Sequence, residues 1–446
     1  MKSLDRPKKR WRKMKMASSP ESFSRSLWWN AAGEAKPNHS KLNGVHEADV
    51  VIVGGGFTGL SSALFLAERG KTVVVLEARH VGFGASGRNG GQVIPGLKHD
   101  PEDLLAAYGP EHGKRMIDLV GGVGDLVFGL VRELDIQCSP VRAGWIQAAH
   151  SQLATAAVHK RARQWQAQGV EVEILDRAQI TELSGTERYF GGWRDPRAGA
   201  LQPLDYARGL ARAATARGVQ IFEYSSVTSL MPENGDWIAK TANGSVRARE
   251  ALVATNAYTD NLVPGLAQSI LPVQSMLIAT EPLSEKQRRE IMPGGVVLSE
   301  TRKIAFYMRQ SEDGRFLIGG RGAVGMNEKK ALMEALKAGM VRLFPQLEGI
   351  GIDYHWSGHV ALTMDGLPHL HNPAAGLHAM LGYNGRGVAM ATAFGKMYAE
   401  YIAEGRPMVY PTTSIPRLAW HAIRKPVMDL GIRWYWIKDS LGFASK

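Results

Sequence analysis

A single cysteine, Cys138, stands in 446 residues. No internal disulfide, Cys-x-x-Cys redox pair or cysteine-based metal site can therefore form. A reducing, cytoplasmic compartment is expected. Long apolar runs are also lacking. The stretch Val50 to Ala78 is broken by Glu68, Arg69, Gly70 and Lys71, short of the roughly 20 apolar residues a membrane span needs. No apolar segment follows the basic start of the chain, so a secretory signal is not expected. The G-x-S-x-G elbow of a serine hydrolase is absent. His355, His359, Asp365, His369 and His371 suggest a metal site at first sight. Gly358, Gly366 and Pro368 interrupt any helix there, and His369 and His371 would share one face of a strand, so no metal is expected.

What is present begins with charge. The chain carries +12, and its first fifteen residues hold eight Lys or Arg against Asp5 alone. Such a block cannot bury a core and reads as a solvated extension. Met14 and Met16 also leave room for a later start. Attachment to nucleic acid or to an anionic membrane through the basic ends is the rival functional class; nucleic acid is not expected. Hydrophobic residues make up 44% and charged residues 22%, ordinary for a globular protein whose length suggests two domains, interleaved rather than consecutive.

The stretch Val50 to Ala78 resolves into three short elements. "DVVIVG" is a β-branched run suited to a strand buried on both faces. "TGLSSALFLAERG" has Leu60, Ala63, Leu64 and Ala67 at helical spacing, with Gly70 as a stop. "TVVVLE" is a second buried strand. The unit is βαβ, with a right-handed crossover. Its turn places Gly54, Gly56 and Gly59 in the G-x-G-x-x-G pattern. Those glycines permit the tight turn, the close approach of a pyrophosphate and the close packing of helix on strand. The helix N-terminus offers free N–H groups to phosphate. Glu77 ends the second strand, where a carboxylate can accept from ribose hydroxyls and disfavours the extra phosphate of NADP.

Two further segments separate FAD from NAD. "VGFGASGRNGGQV", Val81 to Val93, packs five glycines with Ser86, Arg88 and Asn89 into one loop, suited to a flat ligand. Near the other end, a strand from Leu377 to Leu381 runs through Gly382 to Gly387 into a helix from about Val388 to Gly405. NAD needs no such second glycine turn, whereas a flavin can use its helix dipole to stabilise a reduced ring.

These motifs, with "WSGHVALTMDGLP", "GYNGRGVAMA" and "SLWW" near Ser26, resemble the D-amino-acid-oxidase-like family of FAD-dependent oxidoreductases. That family includes glycine oxidase, sarcosine oxidase and D-amino acid dehydrogenase, and the motifs are most similar to its gamma-glutamylputrescine oxidoreductase branch. The resemblance covers roughly residues 47–406. It implies an α/β fold: a Rossmann-like FAD-binding domain of glutathione-reductase type, interleaved with an α+β substrate domain on a mostly antiparallel sheet. The FAD-binding domain is expected from 46–136, 197–268 and 346–406, and the substrate domain from 137–196 and 269–345. Residues 1–45 are expected to form a basic extension, partly disordered, and 407–446 an amphipathic helical segment. In that segment Val427, Leu430, Trp434, Ile437 and Leu441 share a face, with Arg433, Lys438 and Asp439 off it; packing onto the body is the expectation, peripheral membrane contact the alternative.

By resemblance, Gly54, Gly56 and Gly59 hold the pyrophosphate and Glu77 the ribose, with Phe57, Thr58, Ala78 and Arg79 as further cofactor-binding residues. Gly84, Ala85, Ser86, Arg88, Asn89, Gly90, Gly91 and Gln92 border the flavin, and Val227 the adenine. Thr255 and Asn256 lie beside the pyrophosphate; Gly358, Gly385, Arg386, Gly387 and Val388 lie near the ring. Arg88, Tyr307 and Arg386 are the candidates for orienting substrate and stabilising charge, with Arg309, Gln274 and Met276 as further roof residues. No cysteine stands near "WSGHVALT", so the FAD is expected to be non-covalent. Gln202 replaces a histidine often found in the family before the proline of "GALQPLDYARGLA". The implied activity is oxidation of a primary or secondary amine, such as a gamma-glutamylputrescine-like compound, or of a D-amino acid or N-methylglycine. Hydride moves to the flavin, the imine hydrolyses, and the flavin is reoxidised by oxygen, giving hydrogen peroxide, or by another carrier. No motif fixes the oligomeric state.

Overall fold

The computed structural model describes residues 26–321, 330–416, 418 and 420–442. The basic run at the start of the chain lies outside them.

Strand Gly44–Val53 is central to the first sheet. It pairs in parallel with Val73–Leu76 on one side and Gly244–Val253 on the other. Gln220–Phe222 and Leu377–Leu381 extend the parallel array outward. His369–Ala374 closes one edge antiparallel. Strands Ser229–Glu233 and Asp236–Lys240 join from the side.

The run Val50–Val53 is buried on both faces, as its β-branched composition predicts. Alternate side chains serve different cores. Val50 and Ile52 pack with helices Phe57–Ala67 and Gly387–Glu404, while Val51 and Val53 pack with Leu42, Trp237 and Leu377. Each such valine or isoleucine contributes about 1.5–3 kcal/mol on leaving water. The two helices cross closely at Gly395, where a Cβ would lie 2.7 Å from Ser61 Cβ.

The second sheet runs in the order Ile352–Leu362, Leu271–Pro282, Arg315–Arg321, Tyr307–Gln310, Val297–Glu300, Trp145–Ala148, Gly192–Asp195, Glu173–Leu175. All neighbours are antiparallel except Val297–Glu300 with Trp145–Ala148. Its outer face packs on helix Lys330–Leu343 through Met276, Ile278 and Ile318.

Two boundaries differ from the sequence expectation. Strand Ile352–Leu362 lies in the second sheet, paired along its length with Leu271–Pro282, although a division at 346 assigns it to the first. Pairing partners as far apart as Leu271 and Leu362 leave no local mark in composition. Residues 26–45 are also more than an extension. Leu27 and Trp28 are buried, Trp28 Nε1 donates to Asn89 O at 2.8 Å, and Asp205 accepts from the Gly33 and Glu34 amides.

Candidate functional site

A cavity of about 520 Å³ runs between the two sheets. One end is made mostly of backbone. Gly54, at φ +113, turns the chain from the first strand, and a Cβ there would lie 3.0 Å from Ala254 O. Gly56 caps helix Phe57–Ala67, and its Cβ position lies 2.8 Å from Ser86 Oγ, which also accepts from Phe57 N at 2.9 Å. Glu77 sits at the bottom of this end. Its carboxylate accepts from Gly55 N at 2.7 Å and Arg79 N at 2.9 Å. Burial raises its pKa above the ordinary carboxylate value, against those hydrogen bonds.

The turn Gly382–Arg386 feeds the second helix into the same cavity. Gly385 has φ +89. Asn256 Oδ1 accepts from Gly382 N at 2.9 Å, and the Tyr383 hydroxyl meets Thr58 Oγ1 at 2.7 Å. The second bond ties the two glycine turns together, and the first ties the later turn to the segment after strand Gly244–Val253. Two helix N-termini thus border one space, each with a positive dipole end.

The loop Gly84–Gln92 forms one wall. Arg88 donates to Phe83 O at 2.7 Å and Ser357 O at 3.1 Å, and its guanidinium lies 4.6 Å over the Phe83 ring. Trp356 Nε1 donates to Arg88 O at 2.9 Å. Gly90 faces Tyr307, where a Cβ would lie 2.9 Å from the ring. The Tyr307 hydroxyl pairs with Ser275 Oγ at 2.9 Å, and burial pushes its pKa up to about 12.

The far end is made of side chains. Trp145, Gln147, Ser299 and Arg386 meet there, and Lys98, Arg302 and Lys303 are further cations of the cavity lining. Glu300 is its acid, held by Arg302 at 2.5 Å and by the Tyr189 hydroxyl at 3.2 Å. The Arg386 guanidinium lies 4.6 Å over the Trp145 ring. Burial, with Arg161 next, lowers its pKa to about 9, so it stays cationic at neutral pH.

The geometry fits a long dinucleotide ending in a flat ring. Val227, Glu77 and the N-terminus of helix Phe57–Ala67 line the cavity, together with Gly358 and the Gly385–Val388 turn that opens the second helix. Side chains at Gly54 or Gly56 would fill the cradle. Residues 49–401 match the family described as FAD dependent oxidoreductase, the DAO family. The chain belongs to that family.

Among curated relatives of this DAO-family chain, OrdL of Haemophilus influenzae, named a probable oxidoreductase, is 32% identical, over 89% of this chain and 93% of that protein. The gamma-glutamylputrescine oxidoreductase of Escherichia coli is 31% identical, over 94% of this chain and 99% of that protein. Among solved structures, glycine oxidase from Geobacillus kaustophilus superposes with a TM-score of 0.70 at 22% identity, covering 84% of this chain and 99% of that one. The DAO-family chain is thus an FAD-dependent oxidoreductase, of α/β fold, with relatives that act on amines or amino acids.

The cavity brings together all but two of the cofactor residues expected from sequence. Gly59 does not line it. A Cβ there would sit 2.0 Å from Gly54 O and 3.1 Å from Ile52 Cγ2, so Gly59 keeps helix against strand. Gly91 lies beneath the loop, its Cβ position 2.0 Å from Leu201 O. Arg88, Tyr307, Arg386 and Gln274 line the cavity; Arg309 and Met276 do not. Arg309 is buried and donates to Leu201 O at 2.8 Å and Gly90 O at 3.3 Å, bracing the loop from behind. Met276 points into the outer core, and its strand neighbours Ser275 and Leu277 face the cavity instead. Gln202 caps helix Pro203–Ala216, accepting from the Leu204 and Asp205 amides. Cys138 is buried away from the cavity, and burial pushes its pKa up to about 12. No metal-binding cluster occurs among the described residues. Trp145, Gln147, Tyr258, Glu300 and Arg302 had no sequence signal: they come from separate strands and loops.

Proposed function

We propose that this chain oxidises the C–N bond of an amine that carries a carboxylate at some distance from the reacting nitrogen, gamma-glutamylputrescine being the type of compound. The observation that carries this reading is the cation-rich lining of the cavity, Lys98, Arg302, Lys303 and Arg386, the last stacked on Trp145. Arginine and lysine there suit a carboxylate. The kinship with a gamma-glutamylputrescine oxidoreductase over nearly the full chain supports the same class.

When bound, FAD supplies the hydride-accepting chemistry. The chain's residues orient the substrate. Arg386, stacked on Trp145, holds the carboxylate, and Phe306 and Tyr307 are the side chains proposed to flank the reacting carbon. A tyrosine hydroxyl pushed up to about 12 remains protonated at neutral pH, so Tyr307 serves as a hydrogen-bond partner rather than as a base, and no strong base is required if the amine binds in its neutral form. Gly385–Val388 and the N-terminus of helix Gly387–Glu404 favour negative charge at the ring edge. FAD is held without a covalent bond, because Cys138 is outside the cavity. The electron acceptor proposed for this chain is oxygen, with hydrogen peroxide as its product.

The test is anaerobic titration of the flavin-loaded protein with gamma-glutamylputrescine, putrescine, sarcosine, glycine and D-alanine, following the flavin absorbance. Bleaching by gamma-glutamylputrescine at the lowest concentration, recovery with peroxide on readmitting air, and release of free FAD by acid are expected. Bleaching by putrescine at equal concentration would remove the carboxylate from the proposal. Preference for sarcosine or an amino acid would replace it with the compact-substrate class.

A further inference from the structure

Helix Arg424–Ser440 turns an apolar stripe outward. Ile423, Val427, Leu430, Trp434 and Leu441 recur at spacings of about one or two turns and fall on one face. Leu430 is 70% exposed, Trp434 55% and Leu441 65%. Asp439 is turned away from the stripe. It points to the protein body, accepting from Lys303 N at 2.7 Å and Ile304 N at 3.0 Å. Lys438 flanks the stripe with its ammonium 5.5 Å over the Trp434 ring. Residues 417–446 together hold six Lys or Arg and two Asp.

We propose that this helix seats the protein on an anionic bilayer surface, lying in the interface without crossing it. Exposed Leu and Trp on one face with basic flanks are the combination that gains both from apolar insertion and from lipid headgroup charge. Crossing is not available: among the described residues no helix is long and apolar enough. A second copy of the chain is disfavoured as occupant, because self-pairing would bring together two segments that each carry six Lys or Arg against two Asp. The seat is also joined to the cavity. Asp439 holds the backbone at Lys303 and Ile304, and Arg302, Lys303, Ala305 and Phe306 line that wall.

The experiment is flotation of the full chain, flavin bound, with vesicles of phosphatidylcholine alone or of equal parts phosphatidylcholine and phosphatidylglycerol. Binding to the anionic vesicles, weakened by salt and reduced at least about tenfold in Leu430→Glu/Trp434→Glu, is expected. The variant's flavin content and circular dichroism should match the parent's, since both side chains face solvent. No flotation of the parent overturns the proposal. Undiminished flotation of the variant overturns it too, and assigns binding to another basic segment. Equal flotation on phosphatidylcholine alone overturns the anionic requirement. A parent that sediments as a dimer, fails to float, and becomes monomeric on substitution gives the stripe to a second copy.

Discussion

At the Glu77 end of the cavity the facing groups are backbone amides and glycines drawn from single stretches of chain. At the Trp145 end they are long side chains from strands Trp145–Ala148, Val297–Glu300 and Tyr307–Gln310. The first end has almost no freedom to change, because its ligand-facing surface is the main chain itself. The second can exchange side chains and keep its strands. A family that shares one cofactor and varies its substrate is expected to divide its cavity in this way.

The comparison breaks if a change at the first end leaves FAD bound. The largest effect is expected from Gly59→Ala, whose added carbon would meet Gly54 O at 2.0 Å. Loss of about 3 kcal/mol and of most bound flavin should show in thermal melts and in the ratio of flavin to protein absorbance. Next, Glu77→Gln removes the charged acceptor of the Gly55 amide, and FAD affinity should fall about tenfold by fluorescence titration. At the other end Arg386→Met should raise KM for a carboxylate-bearing amine by roughly tenfold or more while sparing putrescine, with rates taken per bound flavin because Arg386 also caps the helix at the cofactor turn. Equal losses for both amines would show that Arg386 holds the fold of the wall. Tyr307→Phe removes one hydroxyl and its bond to Ser275; kcat/KM should fall about threefold to tenfold with flavin retained.

The smallest effect sharpens the picture of the substrate-end loop. His150 Nδ1 lies 2.7 Å from Thr301 Oγ1, and burial, helped by Arg302, lowers its pKa from 6.5 to about 4. The unfolded chain therefore takes up the proton first. Stability from neutral His150 is complete above pH 6.5 and is lost as pH falls towards 4. Thermal melts of His150→Gln should show a shallower decline across that window than the parent; parallel declines would assign the acid sensitivity to other groups.

The contrast also explains what the sequence made legible. Gly54 to Gly59, Glu77 and Gly382 to Val388 are local: their glycine spacing and flanking strands stand in one window, so both turns could be located from residues alone. Trp145 and Glu300 meet the cavity because Val297–Glu300 pairs in parallel with Trp145–Ala148, a contact between distant segments. Met276 shows the finer difficulty: a strand can be recognised while its facing parity is not, and one residue of register moves a side chain from cavity to core. Arg309 shares its strand face with Tyr307, yet the Gly90–Gly91 loop lies over it.

The crossing of helices Phe57–Ala67 and Gly387–Glu404 at Gly395 and Ser61 has a consequence for biosynthesis. The first glycine turn leaves the ribosome about 330 residues before its partner turn. The first βαβ unit can form as it emerges. The cradle then waits, open on the side where the second helix belongs, until that helix is delivered. Capture of FAD is therefore expected to follow synthesis of the second turn rather than of the first.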